Sequence, residues 1–316
     1  MNITRVCVIG GSGFVGSHIV HELSRGAVSV RVPTRSRERA KHLIVLPTVD
    51  VIETDVHDTA ALSTAVRGVS AVINLAGVLH DGRGTRSFAA THIDLTRKVL
   101  AACAAHGITR YVHMSALGAD PAGPSRYQRT KGEAESLVRA ADLDWTIFRP
   151  SVIFGRGDRF LNLFALLQQR LPLMVLAAPD ARFQPVYVED VARAVAHSVA
   201  DGASFRREYE LCGPRVYTLR ELVALAGRIA GNPRRIIGLN AGLSYLQALV
   251  MEFLPGQLMT RDNYASMKRD NVCSATFPFD IEPQAIEAVA PSYLGQDFPR
   301  ARYSSYRDRA RRQPGR

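Results

Sequence analysis

Tyr127 and Lys131 stand four residues apart, the spacing that puts two side chains on one face of a helix. An ammonium beside a phenol stabilises the phenolate and lowers its pKa. A tyrosine tuned in that way can exchange a proton with a carbonyl during hydride transfer. Ser115 follows the strand expected at Tyr111–Met114 and is the third catalytic candidate. Taken alone, the pair could equally be one side of an amphipathic helix, so its context decides. Gly10, Gly13 and Gly16 follow the mostly β-branched run Val6–Ile9 and precede Ile19, Val20 and Leu23 at helical spacing. Strand, tight turn and helix in that order present amide hydrogens with no Cβ in the way, at the positive end of a helix dipole. That arrangement suits a dinucleotide pyrophosphate. Gly10, Gly13, Phe14, Val15 and Gly16 are therefore the expected cradle of a nicotinamide dinucleotide.

The elements that must position these residues alternate along the chain. Strands are expected at Ser29–Val32, Val49–Thr54, Ala71–Leu75, Tyr111–Met114 and Trp145–Phe148, with helices at Arg37–Leu46, Thr59–Val66, Phe88–Ala105 and Tyr127–Ala140. This order predicts an α/β fold, a doubly wound parallel sheet of the Rossmann type, with ligands beyond the carboxyl ends of its strands. After the second strand the chain reads Pro33-Thr34-Arg35-Ser36-Arg37 where an NAD-type site carries an acid. A guanidinium pairs with a 2′-phosphate that a carboxylate would repel, so Arg35 favours NADP(H) over NAD(H). Asp55 and Val56 follow the third strand. Asp55 could accept a hydrogen bond from adenine, or begin the helical turn that runs to Asp58. Ala76 and Gly77 after the fourth strand are small enough for backbone to approach a cofactor. The polar loop His80–Gly84 should rim the pocket, with His80 read as a surface histidine.

At this point the chain resembles the short-chain dehydrogenase/reductase superfamily, in its extended or atypical, NAD-dependent epimerase/dehydratase-like branch. The resemblance rests on Gly10-x-x-Gly13-x-x-Gly16, Tyr127-x-x-x-Lys131, Phe148-Arg-Pro-Ser-Val-Ile-Phe-Gly155 and Gln184-Pro-Val-Tyr-Val-Glu-Asp-Val-Ala192. The wording of 113–120 and 154–160, with the basic C-terminal region, is similar to the NADPH-binding 39 kDa accessory subunit of respiratory complex I and its bacterial homologues. The resemblance implies a bound NADPH, with Ser115, Tyr127, Lys131 and Pro150 on its nicotinamide side. It also implies a structural or accessory nucleotide in a membrane-associated redox system, complex I or ubiquinone-related. Two departures matter: Ser115-Ala116 replaces the hydroxyl pair that polarises the substrate carbonyl in active members, and the loop from Ser115 to Tyr127 is shorter than in sugar-nucleotide epimerases. The alternative is an active oxidoreductase or epimerase/dehydratase working on a quinone-ring, lipid or sugar-nucleotide carbonyl.

The 316 residues, with 47% hydrophobic and 22% charged, are of ordinary globular composition. No signal-peptide pattern or bilayer-length apolar run is present. Cys7, Cys103, Cys212 and Cys273 are scattered without metal-ligand spacing, which reads as a reduced cytoplasmic setting and no metal site. The net charge of +11 is uneven, with seven arginines and Asp308 in 300–316. That tail is either a solvated end or a basic segment for an anionic membrane or acidic partner, and no nucleic-acid module accompanies it. The expected division is a dinucleotide-binding domain at 1–156, completed by parts of 183–213, a smaller, mostly helical lobe at 157–299, and the tail 300–316. Within the lobe, Leu239–Leu254 carries the single carboxylate Glu252. It is either a core helix or one that lies on a membrane or partner, with Arg261, Lys268 and Arg269 close by. The second choice would make the protein peripheral on the inner face of the membrane.

Overall fold

The computed structural model describes residues 3–26, 28–253 and 258–295. The tail 300–316 and the end of the apolar segment, Leu254–Gly256, lie outside the described residues. The first half runs β1 (Arg5–Ile9), α1 (Phe14–Ser24), β2 (Ser29–Thr34), α2 (Lys41–Ile44), β3 (Val49–Glu53), α3 (Thr59–Val66), β4 (Ala71–Asn74), α4 (Leu95–Ala105), β5 (Arg110–Met114), α5 (Arg126–Ala140) and β6 (Asp144–Pro150). Then follow β7 (Ile153–Phe154), α6 (Leu161–Arg170), β8 (Leu173–Leu176), β9 (Arg182–Phe183), β10 (Val186–Tyr187), α7 (Val188–Ala200) and β11 (Arg207–Leu211). The chain closes with β12 (Tyr217–Thr218), α8 (Leu219–Ile229), β13 (Arg235–Gly238), α9 (Ala241–Glu252), α10 (Arg261–Ser266), α11 (Ile286–Val289) and α12 (Pro291–Leu294).

Seven strands form one parallel sheet in the order β11-β6-β5-β4-β1-β2-β3. The order reverses between β1 and β4, which opens a crevice at their carboxyl ends. Because helices cover both faces, the central strands are buried throughout rather than alternating, polar Asn74, Arg110 and His113 included. Every residue of β4 and β5 is buried. On one face Ile19, Val20 and Leu23 of α1 pack with Val191, Val195 and Val199 of α7. On the other, Leu62 and Val66 of α3, Leu95 and Val99 of α4 and Val138 of α5 form a second core. Arg110, fully buried at the start of β5, donates to the last carbonyls of α7, Nε to Val199 at 3.1 Å and Nη2 to Ser198 at 2.6 Å. A third apolar cluster joins Leu161 and Ala165 of α6, Leu219 and Leu222 of α8, and Ile286 and Leu294.

Local chemistry explains the boundaries. Thr218 and Glu221 cap α8 reciprocally, as the Thr-x-x-Glu pattern predicts. Two expected helices are less regular. Arg37–Leu46 is a 3-10 turn, Arg37–Ala40, running into α2. Phe88–Ala105 begins as a widened π-helical turn, Ala89–Asp94, before α4. Such turns interrupt the regular ladder at functional places, and this one carries His92.

Two expectations are corrected. Cys212 and Cys273 form a disulfide, while Cys7 and Cys103 are free and buried. The partners are 61 residues apart in sequence, and only the fold's return to the edge strand β11 brings them together. A disulfide departs from the reducing setting read from scattered cysteines. The core-helix reading of α9 also fails. Its inward residues are the small Ser244 and Ala248, and its bulky stripe, Leu243, Leu246 and Val250, is half exposed at 50%, 52% and 54%. Among the described residues no helix is long and apolar enough to cross a membrane.

Candidate functional site

The β1–α1 turn lies at the crevice. Gly10 adopts φ +82°, and a Cβ there would come within 3.2 Å of the Leu75 carbonyl carbon. At Gly16 a Cβ would stand 2.2 Å from Gly10 O and 2.6 Å from Gly11 Cα, so α1 can approach β1 only with glycine at this position. Gly13 is the N-cap of α1 and no side chain caps it. Ser17 N, bonded to Gly13 O at 2.9 Å, is the first amide of the helix with an intrahelical carbonyl. The amides of Phe14, Val15 and Gly16 thus form an open anion site. The Phe14 ring leaves that site clear: it packs edge-on against His18 at 5.7 Å and lies toward Gly155.

The other expected cofactor residues gather at the same ends of the strands. Arg35 follows β2, is exposed, and has no hydrogen bond or ion pair among the described residues. Ser12 of the glycine turn and Thr34 at the end of β2 approach at 3.3 Å between hydroxyls beside it. Asp55 is exposed, and its Oδ1 accepts from His57 N at 3.0 Å. Asp58 caps α3 through Ala61 N, so the helical-turn reading of this stretch is met and Asp55 Oδ2 stays open. Val56 is half-buried beneath it. Ala76 N is held by Asn74 Oδ1 at 3.2 Å. A Cβ on Gly77 would meet Lys131 Nζ at 3.4 Å. Pro150 is buried, with its carbonyl accepting from Leu117 N at 2.9 Å.

Tyr127 and Lys131 share one side of α5, but their electrostatics differ from the expectation. Lys131 is buried and donates to Met114 O at 2.9 Å. Burial pushes its ammonium down to about 8, partly opposed by Glu135. Tyr127 is not lowered by that lysine. Packing against Phe88 at 5.8 Å and His92 at 5.5 Å removes water from the phenol and raises it to about 12. Its hydroxyl has no hydrogen-bond partner among the described residues.

Several residues at the site escape sequence reading. His92 Nε2 accepts from Val78 N at 3.2 Å, so Nδ1 carries the proton and donates to Thr130 at 2.9 Å. Burial first, then Lys131 and His113, push His92 down to about 2, which keeps it a neutral spacer between the β4 loop and α5. Asn74 Nδ2 donates to the Tyr111 hydroxyl at 3.1 Å, which leaves that hydroxyl's proton for His113 Nδ1 at 3.2 Å. His113 is held neutral by burial and by Lys131, at about 3. Its Nε2 and the Ser115 hydroxyl are both buried without a partner. Buried polar atoms are seldom left so, and these two stand together at the carboxyl end of β5. His80 is also less exposed than expected: it is half-buried, with Nδ1 enclosed and unpartnered. A lone histidine in a strand or a helical turn carries no spacing signal, which is why His113 and His92 go unread.

The start of α5 is covered by α10. Asp262 accepts from Arg126 N at 2.6 Å and Tyr127 N at 3.2 Å, capping the helix that bears Tyr127 alongside the Ser125–Gln128 capping box. Phe88, Arg126, Asp262, Thr260, Tyr245 and Glu252 line a cavity of about 400 Å³ there, together with Asp81 and Arg261. Four of its five charged residues are matched in pairs, Arg126 with Asp81 and Arg261 with Glu252, and the fifth, Asp262, is held by the backbone amides of α5. A cavity of about 330 Å³ between Leu100, Ile108 and Leu143 lies at the amino ends of the strands, away from these groups.

The geometry fits a nicotinamide dinucleotide: a Cβ-free cradle, open helix amides and two orphaned polar groups at adjoining strand ends. Residues 10–160 match the family described as NAD(P)H-binding. The mitochondrial NADH dehydrogenase (ubiquinone) 1 alpha subcomplex subunit 9 of Arabidopsis thaliana is 35% identical over 226 residues, 69% of this chain and 56% of that protein. The chain thus spans little more than half of that relative's length. The NADH-ubiquinone oxidoreductase 40 kDa subunit of Neurospora crassa is 30% identical over 295 residues, 91% of this chain and 78% of that protein. In fold, the chain is similar to an NADPH-dependent quinone oxidoreductase from Escherichia coli solved with NADPH, with a TM-score of 0.73 at 20% identity, covering 92% of this chain and 99% of that one. With its glycine turn, its Tyr-x-x-x-Lys helix and its kinship along most of the Neurospora subunit, the chain belongs to the NAD(P)H-binding extended short-chain dehydrogenase/reductase family, in the group of the complex I 39 kDa-type subunits.

Proposed function

We propose that the protein holds NADP(H) as a structural or accessory nucleotide in a membrane-associated redox system, complex I-like or ubiquinone-related. In this reading Gly10, Gly13, Phe14, Val15 and Gly16 hold the pyrophosphate, Arg35 the 2′-phosphate, and Asp55, Val56, Ala76 and Gly77 border adenine and ribose. Ser115, Lys131 and Pro150 border the nicotinamide side. The domain division at 156, with 183–213 completing the first domain, and the peripheral location belong to the same proposal. The observation that carries it is the Gly16 contact, where only a glycine leaves the amides of α1 free to meet a diphosphate. The unpaired Arg35 beside Ser12 and Thr34 supports NADP(H).

A second reading, turnover on a quinone-ring, lipid or sugar-nucleotide carbonyl, is favoured by the cavity against Phe88 and by the unpartnered Tyr127 hydroxyl. The nicotinamide would supply or accept the hydride. Tyr127 would pass the proton, and Lys131, neutral above about 8 when no ligand is present, would anchor the ribose side. Ala116 in place of a second hydroxyl argues against it. Arg35→Ala tests the cofactor: NADP(H) binding should weaken by on the order of tenfold or more with NAD(H) nearly unchanged. An equal loss for both would remove the 2′-phosphate from the reading. Bound NADPH that is oxidised on adding quinones, and is not oxidised in Tyr127→Phe, would replace the accessory role by catalysis.

A further inference from the structure

The strands β8 and β13 pair in parallel, with Leu173 opposite Arg235 and Val175 opposite Ile237. Register partners in a parallel pair point to the same side. All four of these residues are exposed, while Met174 and Leu176 point into the third core. Gln247 of α9 donates to Val175 O at 2.9 Å, and Ser244 accepts from Ala178 N at 3.2 Å, so α9 lies against this small sheet. The stripe Leu243, Leu246 and Val250 extends the apolar surface, and Phe253 beyond it is 79% exposed. A helix that keeps its small residues inside and its large aliphatic ones outside is built to be covered.

The charge around this face indicates what covers it. Residues 159–179 and 222–251 contain no carboxylate and five arginines. Arg170 at the end of α6 and Arg235 on the face itself are exposed and take part in no ion pair among the described residues. Arg234 is fixed next to them by Nε donating to Gln168 O at 2.8 Å. By contrast, Arg261 and Arg269, which in the sequence fit an anionic surface without demanding one, are matched by Glu252 and Asp120. A second copy of the chain is a poor occupant. A two-fold contact sets identical patches together, and this one would oppose Arg170, Arg234 and Arg235 to their own copies, with only Asp180 and the already paired Glu252 at its edges to answer them. A surface at once apolar and rimmed by negative charge is an anionic bilayer, and α9, with 12 residues, has the size of a helix that lies in the headgroup boundary.

We propose that the face formed by β8, β13 and α9 docks on an anionic lipid bilayer, with Leu243, Leu246 and Val250 at the acyl boundary and Arg170, Arg234 and Arg235 on the headgroups. The proposal rests on the membrane-associated role above and gives it a direction. Tyr245 and Glu252, on the neighbouring side of α9, line the cavity that also touches Phe88, whose ring packs against Tyr127 at 5.8 Å. Docking through the adjoining stripe therefore sets that cavity beside the membrane.

The test is flotation of the full chain with vesicles of phosphatidylcholine alone and of phosphatidylcholine with phosphatidylglycerol. The chain should float with the anionic vesicles. Leu246→Glu with Val250→Glu should cut the bound fraction about tenfold or more, and Arg234→Gln with Arg235→Gln by on the order of tenfold on anionic vesicles only. Both variants should hold NADPH as the parent does, which checks their folding. If both pairs float as the parent does, another surface, the tail included, does the binding and the proposal is wrong. It is equally wrong if the parent ignores anionic vesicles, or if the face variants abolish self-association or capture by a protein subunit while vesicle binding is unchanged. A chain that floats through this face yet holds no nucleotide would refute the nucleotide reading and leave the docking face standing.

Discussion

At the scale of single residues, two positions are most constrained. Gly16→Ala sets a methyl group 2.2 Å from Gly10 O. The turn must move, so nucleotide affinity should fall by about tenfold or more and the melting temperature should drop with it. Unchanged affinity by titration calorimetry would disconnect the turn from binding. Lys131 makes the second prediction. Its folded pKa of about 8 lies below the ordinary 10.5, so the unfolded chain binds the extra proton between those values. Stability of the nucleotide-free protein should therefore rise from about pH 8 to 10.5, by roughly 3 kcal/mol at most. Tyr127 acts in the opposite sense. Raised to about 12 from 10, it stays protonated in the folded state while the unfolded chain ionises, so stability is lost above pH 10. Denaturation at fixed pH values should show the maximum near pH 10, and Lys131→Met should remove the rise below it. The glycines and the Tyr-Lys pair were legible because spacing along one turn or one helix encodes them. The burial that moves both pKa values depends on Phe88 and on His92, which reach the pair from another part of the chain.

At the scale of elements, periodicity carried the βα units well, because each strand of a covered parallel sheet is a short apolar run flanked by turns. It misled at α9, whose apolar stripe is as strong as that of a core helix and faces outward. Apolar spacing reports that a face will be covered, not by what. The cysteines show the same limit, since the pairing of Cys212 with Cys273 depends on where the chain after α10 runs. Asn271 N donates to Arg182 O, Asn271 O accepts from Gln184 N, and Cys273 N donates to Gln184 Oε1, all of which lay this stretch along the edge of the fold. Thiol titration checks the assignment. The native protein should show no reactive thiol, because Cys7 and Cys103 are buried and pushed up to about 12. Denaturant should expose two, and denaturant with reductant all four. Reduction should also lower stability by about 2–4 kcal/mol. Four thiols under denaturant alone would show the bond to be absent.

At the scale of the whole molecule, the nucleotide-binding sheet is not finished by the first half of the chain. Its edge strand β11 and the helix α7, which covers α1 through Val191, Val195 and Val199, arrive after α6 and β8–β10. A fragment ending at residue 156 would leave that apolar face open and Arg110 without its Ser198 and Val199 carbonyls. It should be insoluble or bind no nucleotide when expressed alone, and a soluble, NADPH-binding fragment would show that α7 is dispensable. The disulfide adds a topological property. Residues 212–273 form a covalent ring that contains α8, β13, α9 and α10. A protease that cuts once anywhere inside it opens the ring but frees no piece. Electrophoresis without reductant would show an intact mass for a nicked molecule, and only the reduced lane would record the damage.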